Sequence, residues 1–280
     1  MERVKTGIPG FDELVEGGLP KGFNVLLAGA PGTGKTIFGL QYLYNGAKNG
    51  ENGIYVSLDS SEKRLKEQAL QFGWDFDGLK KNGNDKEGDV LFLEVPVDRV
   101  KVNLFDMIED AIAQTGAKRL VFDNLVNFVI NAGQFVVPLN FMSESEESRK
   151  DRFSRYSEDE ASKVSLLKGR TMYNTAPPEV LSIKRSAYLV VHELETLGTT
   201  NLIVTFAKQE GENQFTTADG VSEFACDSII ALHYELIGAK RVRTLSVLKM
   251  RDTSHSPYIH DFEFTGEGVV VKPAEAFSKV

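Results

Sequence analysis

Cysteine is nearly absent from this chain: Cys226 is the single one in 280 residues. A disulfide within the chain is therefore excluded, and a reducing compartment fits. Cys226 lies in an apolar-rich run, which favours a small buried core residue over a reactive thiol. Histidine is scarce too, with four scattered residues. One thiol and four such imidazoles cannot build a His/Cys metal cluster. Long apolar runs are missing: none approaches the ~18 residues that cross a bilayer. Met1 to Pro9 is too polar and charged for a signal peptide. The expected location is the cytoplasm, with no membrane partner. Positive charge is also short, with 32 Lys and Arg against 40 Asp and Glu and a formal net charge of -8. Proteins that live on phosphate-backbone contacts usually show a basic surface, so non-specific nucleic-acid binding is disfavoured. A local basic patch stays open.

What is present is an ordinary globular composition, 41% hydrophobic and 26% charged. The length suits one large α/β domain or two small ones. Strand and helix patterns alternate through the first half. Phe23 to Ala28 is a short continuous apolar run, the pattern of a buried parallel strand. Thr36 to Ala47 reads as a helix, Ile54 to Leu58 as a strand, and Ser61 as the cap of a helix through Phe72. Strands follow at Val90 to Val95 and Leu120 to Asp123, with a helix between them that Asn103 can cap and Gly116 ends. This order predicts a mainly parallel sheet flanked by helices with right-handed crossovers.

The rhythm breaks over residues 131–184. Ser143 to Lys163 holds twelve charged residues and three apolar ones. Such a segment buries little surface, so a mobile insertion is expected there, serving either as a partner-binding arm or as a plain surface excursion. A helix near Ser186 to Leu197 and a strand at Leu202 to Phe206 restore the rhythm. Ser228 to Leu236, Thr244 to Met250, Phe262 to Phe264 and Val269 to Val271 then read as antiparallel strands toward the C-terminus. The simplest organisation is one domain over residues 1–280 with that surface insertion.

Gly29-Ala30-Pro31-Gly32-Thr33-Gly34-Lys35-Thr36 fits G-x-x-x-x-G-K-[ST] at every fixed position. The glycines let the backbone form a nest whose N–H groups face a phosphate. The following helix adds its positive end. Lys35 supplies a point charge for the β- and γ-phosphates, and the Thr36 hydroxyl can ligate Mg²⁺. The expected ligands are ATP or ADP with Mg²⁺. Such a site needs an acid at the end of a later strand, and Asp123 closes an apolar one. There it can hold the Mg²⁺ shell through water; the plainer alternative is a strand that ends in a polar turn.

The flanking segments carry a resemblance. Thr6-Gly-Ile-Pro-Gly-Phe-Asp-Glu-Leu and Gly17-Gly-Leu-Pro-Lys-Gly22 precede the loop, and Gly53-Ile-Tyr-Val-Ser-Leu-Asp59-Ser60 and Phe72-Gly-Trp-Asp75 follow it. Asp219-Gly-Val-Ser-Glu-Phe-Ala-Cys-Asp227, Val247-Leu-Lys-Met-Arg251 and Thr253-Ser-His255 come late in the chain. In this order the segments resemble the KaiC-like branch of the RecA superfamily of ATPases, and they span most of the chain outside the insertion. The resemblance implies a RecA-like core and an ATP-driven ring, usually a hexamer, with nucleotide between subunits. It also implies that Lys249 and Arg251 reach a neighbour's γ-phosphate, as cations that neutralise charge developing in the transition state. A solvated strand with two surface cations is the plainer reading. His255 fits a polar loop residue as well as a nucleotide contact.

Three departures bear on activity. The family strand usually ends in Glu-Glu, one of which is the base for the attacking water; here Asp59 and Ser60 stand there. Asp is one methylene shorter, about 1.5 Å of reach, and a general base must come within hydrogen-bonding distance of its proton. Asp59 is the candidate base, directly or through a second water. Asp252 stands where the family usually has Gly, and its carboxylate can pair with Arg251. The charged insertion has no clear family counterpart. The resulting function is a Mg²⁺-dependent ATPase of ring-forming type. The alternatives are a non-hydrolysing ATP-binding switch, a DNA-recombination ATPase, and a ring that phosphorylates itself.

Overall fold

The computed structural model describes residues 1–81, 87–95, 104–133, 178–209 and 215–272. Asn103 and most of the charged insertion lie outside the described residues. The chain opens with a two-stranded ribbon, β1 (Arg3–Val4) and β2 (Leu19–Pro20), around a 3-10 turn at Asp12–Val15. There follow β3 (Asn24–Gly29), α1 (Lys35–Lys48), β4 (Gly53–Ser57), α2 (Glu62–Leu70), α3 (Phe76–Lys81), β5 (Val90–Glu94), α4 (Leu104–Thr115), β6 (Arg119–Asp123) and α5 (Leu125–Gly133). After the insertion come α6 (Pro178–Thr196), β7 (Thr200–Gln209), β8 (Phe215–Thr217), α7 (Ser222–Ala225), β9 (Ser228–Ile237), β10 (Lys240–Met250), β11 (His260–Thr265) and β12 (Gly268–Val271).

One sheet holds all but the first ribbon, in the order β12-β11-β10-β9-β3-β7-β6-β4-β5, with β8 on the end of β7. The strands from β9 to β5 are parallel. The strands β10, β11 and β12 extend it antiparallel at one edge. Both features follow the sequence reading. A parallel sheet is buried on both faces, which is why β3, β4 and β6 are buried at every position.

Alternate residues of β3 feed two cores. Val25 and Leu27 join α1, α2 and α3 on one face. Leu26 and Ala28 join α4, α5 and α6 on the other. Burying each of the Val and Leu side chains stabilises the fold by roughly 1.5–3 kcal/mol. Ser61 caps α2 as the sequence suggests, its hydroxyl accepting the Arg64 N–H at 3.3 Å. Cys226 is fully buried in the second core, and burial pushes its thiol far above the ordinary range, so the inert-core reading holds.

The expected boundaries shift in two places. The helix foreseen from Ser186 begins at Pro178, so the segment expected to be irregular over 131–184 ends in helix. The strand foreseen as Leu202–Phe206 runs over ten residues, Thr200–Gln209, because β8 pairs with its far end. Among the described residues no helix is long and apolar enough to cross a membrane.

Candidate functional site

The site forms where β3 and α1 meet, in the centre of the sheet. The loop between them leaves the carboxyl end of β3, where open α/β sheets place their ligands. Two of its glycines are required by geometry. Gly34, the residue before α1, has φ +102°, and a Cβ there would stand 2.3 Å from the Phe264 ring. A Cβ on Gly29 would stand 2.5 Å from the Leu232 carbonyl of β9. The loop thus lies close against Leu232 of β9 and Phe264 of β11.

Lys35 is buried, at 7% exposure. Its ammonium donates to the carbonyls of Gly29 at 2.8 Å and Ala30 at 2.9 Å. It also stands 4.8 Å from the centre of the Phe206 ring. Burial pulls it down to about 8, while the Asp123 carboxylate pushes the other way. An ammonium held so poorly solvated is a strong attractor for phosphate.

Asp123 ends β6, and the register sets it opposite Ser57 of β4. One of its oxygens, Oδ2, accepts from Thr36 Oγ1 at 2.9 Å and from the Tyr55 hydroxyl at 2.6 Å. Burial pushes the Asp123 carboxyl up, with the Tyr55 and Thr36 hydroxyls opposing. Burial also raises the Tyr55 phenol well above its ordinary range, so it stays a donor. Among the described residues no group of three or more His, Cys, Asp or Glu is placed to hold a metal alone. A hydroxyl beside a single carboxylate fits Mg²⁺, which keeps several waters and takes its other oxygens from phosphate.

Asp59 follows β4. It lines the same pocket of about 350 Å³ as Lys35, Thr36, Asp123, Gly32 and Gly34. Ser60 does not line that pocket; its backbone closes a turn on the Ser57 hydroxyl. Of the two positions where the family carries glutamates, only Asp59 is available to a ligand.

Lys249 and Arg251 are elsewhere. Met250 pairs with Ser228, which pairs with Val25 at the amino end of β3. The phosphate loop leaves the other end, about 13 Å along the strand. Lys249 donates to the Cys226 carbonyl at 2.6 Å, and burial followed by Arg251 lowers its ammonium. Arg251 pairs with Asp227 at 3.0 Å. The carboxylate on Arg251 is therefore Asp227, which corrects the expectation that Asp252 takes that place. Asp252 sits at φ +52°, a left-handed conformation that Gly adopts freely and that Asp tolerates better than most residues. His255 also lies outside the pocket, its Nδ1 3.2 Å from the Ser256 carbonyl.

The structure adds residues that sequence reasoning missed. Arg243 stacks between the rings of Tyr234 and Phe264, 4.2 and 4.8 Å from their centres. Its guanidinium lies 3.4 Å from the Gly32 carbonyl of the loop. In sequence it is one of several cations on a strand, with nothing to set it apart. Asn124 and Gln68 line the pocket as well. Several shared motif residues prove to be structural. Asp12 accepts from the N–H and hydroxyl of Thr6 at 2.9 and 2.7 Å, and Trp74 stacks on Phe72 and Tyr44.

Comparison with known proteins supports the same reading. A family model described as "ATPase: KaiC" matches residues 4–136 and 176–276. A protein of Thermotoga maritima named only UPF0273 is 31% identical, with 98% of each chain covered. The circadian clock protein KaiC3 of a Synechocystis strain is 29% identical over 99% of this chain and 46% of its own length. The crystal structure of KaiC-like protein PH0186 from Pyrococcus horikoshii superposes with a TM-score of 0.69 at 30% identity, covering 97% of this chain and 99% of that one. A phosphate loop between β3 and α1, a buried acid closing β6, and a family match on both sides of the insertion agree: the chain belongs to the KaiC-like ATPases of the RecA superfamily.

Proposed function

We propose that this protein binds ATP with Mg²⁺ and hydrolyses it, in a ring-shaped oligomer whose subunits complete one another's sites. The observation that carries this reading is the convergence of Lys35, Thr36, Asp123 and Asp59 on one pocket from three separate strand ends. In the proposed reaction a water oxygen bonds to the γ-phosphorus while the bond to the β,γ-bridging oxygen breaks. ADP leaves with that electron pair. Asp59 takes the water's proton, Lys35 and the loop N–H groups hold the phosphates, and Thr36 with Asp123 would hold Mg²⁺. Mg²⁺ would supply charge neutralisation across the β- and γ-phosphates.

Lys249 and Arg251 stand too far along the sheet to serve their own loop. A neighbour arranged head to tail would present them to the next pocket, and such contacts close into a ring when the rotation between subunits closes. That distance supports the trans role; the hexamer is what the resemblance implies. A second reading, an ATP-binding switch with little turnover, is favoured by the replacement of Glu-Glu with Asp59 and Ser60.

Steady-state phosphate release separates the two. Wild type, Lys35→Ala, Asp59→Ala and Arg251→Ala are assayed with Mg²⁺ and saturating ATP, with mass measured in solution. The ATPase reading expects turnover lost in Lys35→Ala, cut to a measurable residual rate in Asp59→Ala, and lost without loss of the ring in Arg251→Ala. Tight ATP binding with no phosphate release in wild type establishes the switch instead. Unchanged turnover in Lys35→Ala removes the central claim.

A further inference from the structure

Asn124 closes β6 at the pocket and caps α5. Its Oδ1 accepts the Asn127 backbone N–H at 2.8 Å, the bond of an N-cap residue to the third residue of its helix. That bond decides which end of the amide faces where. With Oδ1 committed to the helix, Nδ2 turns toward the pocket and donates to Asp59 Oδ2 at 3.1 Å. Asn127 stands on the same helix face, three residues on. Its own Nδ2 donates to the same Asp59 oxygen at 3.1 Å. Both amides converge on Oδ2, and among the described residues no hydrogen bond reaches Asp59 Oδ1.

Capping α5 needs only the Oδ1 of Asn124. The Asn127 amide is not required for the helix, and Asn is a poorer helix former than Ala. Both Nδ2 groups are instead directed at one carboxylate. Amides fix its orientation without setting a full positive charge against it. Aspartate has one side-chain rotor fewer than glutamate, so two donors leave it little freedom.

We infer that Asn124 and Asn127 are positioning residues, an amide clamp that holds Asp59 with Oδ1 free for the attacking water. On this account the clamp offsets the shorter reach of Asp59, because placement and not reach alone governs proton transfer. The inference rests on the proposed role of Asp59 as base.

The test uses the full chain with ATP and Mg²⁺. Asn127→Ala keeps a good helix former at that position. The expected result is a kcat lower by roughly 100-fold, the scale of a 1 Å misplacement, with nucleotide Kd unchanged. In an Asp59→Ala background the same substitution is expected to change kcat by less than about twofold, because residues acting as a unit are not additive. Asn124→Asp is the second variant: Asp caps a helix as well as Asn, but it sets a carboxylate against Asp59, and kcat is again expected to fall with the fold intact. An unchanged kcat in Asn127→Ala, an equal loss in both backgrounds, or a rise in kcat overturns the clamp; a rise means that the amides hold Asp59 away from the water. Full turnover in Asp59→Ala alone is a different failure, that of the base assignment, and is read without either Asn variant.

Discussion

Replacing Asp123 by Asn separates what this residue does for the fold from its proposed role at Mg²⁺. The perturbation is nearly isosteric. Both donors that reach the carboxylate, Thr36 Oγ1 and the Tyr55 hydroxyl, land on the single oxygen Oδ2. An amide carbonyl has two lone pairs and can accept both, so Asp123→Asn keeps the network. The charge is another matter. Asp123 is 5% exposed, and burial raises its carboxyl above the ordinary carboxylate range. A carboxyl raised in this way stabilises the fold while protonated, and that contribution is lost as pH rises through the raised value. At neutral pH the ionised form is therefore a cost to the free protein, and Asp123→Asn is expected to melt at the same temperature or higher. For Mg²⁺ the sign reverses. Removing an oxygen-donor charge from the metal's surroundings weakens binding by about 10–100-fold, the usual scale for such partners. The assay is a Mg²⁺ titration of ATP turnover at fixed ATP, with a thermal melt of the free protein at pH 7.5. The half-saturating Mg²⁺ concentration is expected to rise by that factor while the melt does not fall. An unchanged Mg²⁺ requirement refutes the metal role of Asp123. A melt lowered by several degrees refutes the claim that the amide preserves both hydrogen bonds.

Two further predictions concern the loop. Lys35 is held at about 8 by burial, so ATP affinity is expected to be full below pH 8 and to fall by at most ~tenfold per pH unit above it. Free-protein stability moves the other way: between about 8 and the ordinary 10.5 the unfolded chain binds more protons, so stability rises with pH there. Fluorescent-nucleotide titrations at pH 7, 8 and 9 check the first part, and the same pH slope in Lys35→Met would show that another group titrates. Gly34→Ala adds a Cβ 2.3 Å from the Phe264 ring at φ +102°, with a left-handed penalty of roughly 1–2 kcal/mol. The double variant Gly34→Ala with Phe264→Ala removes the clash but not the backbone strain, so nucleotide affinity is expected to recover only in part; full recovery shows that backbone strain contributes nothing.

The phosphate loop was legible because its chemistry is local. Eight contiguous residues set the nest, the ammonium and the hydroxyl, and the apolar run before them announces a buried strand. Asp123 was legible for a related reason, as the polar end of the apolar run Leu120 to Phe122. Lys249 and Arg251 were visible only through resemblance, since two cations near a strand's end have no local signature. Arg243 was not visible at all. Its position over the loop depends on β10 pairing with β9 and on Phe264 arriving from β11. Asp252 misled for a conformational reason: its charge suggested a partner for Arg251, but the position selects for left-handed backbone.

The sequence by itself determined the elements and the phosphate-loop motif. Hydrophobic periodicity set the strands and helices, and the spacing of Gly29, Gly34, Lys35 and Thr36 set a phosphate site, because both depend on neighbours within a few residues. Only the tertiary structure decided which distant side chains share that site. Asp59 and Asn124 meet because β4 and β6 lie side by side in register, Ser57 opposite Asp123. Strand order and register are set by long-range burial, and the contacts they create between residues 65 positions apart leave no mark on either segment alone.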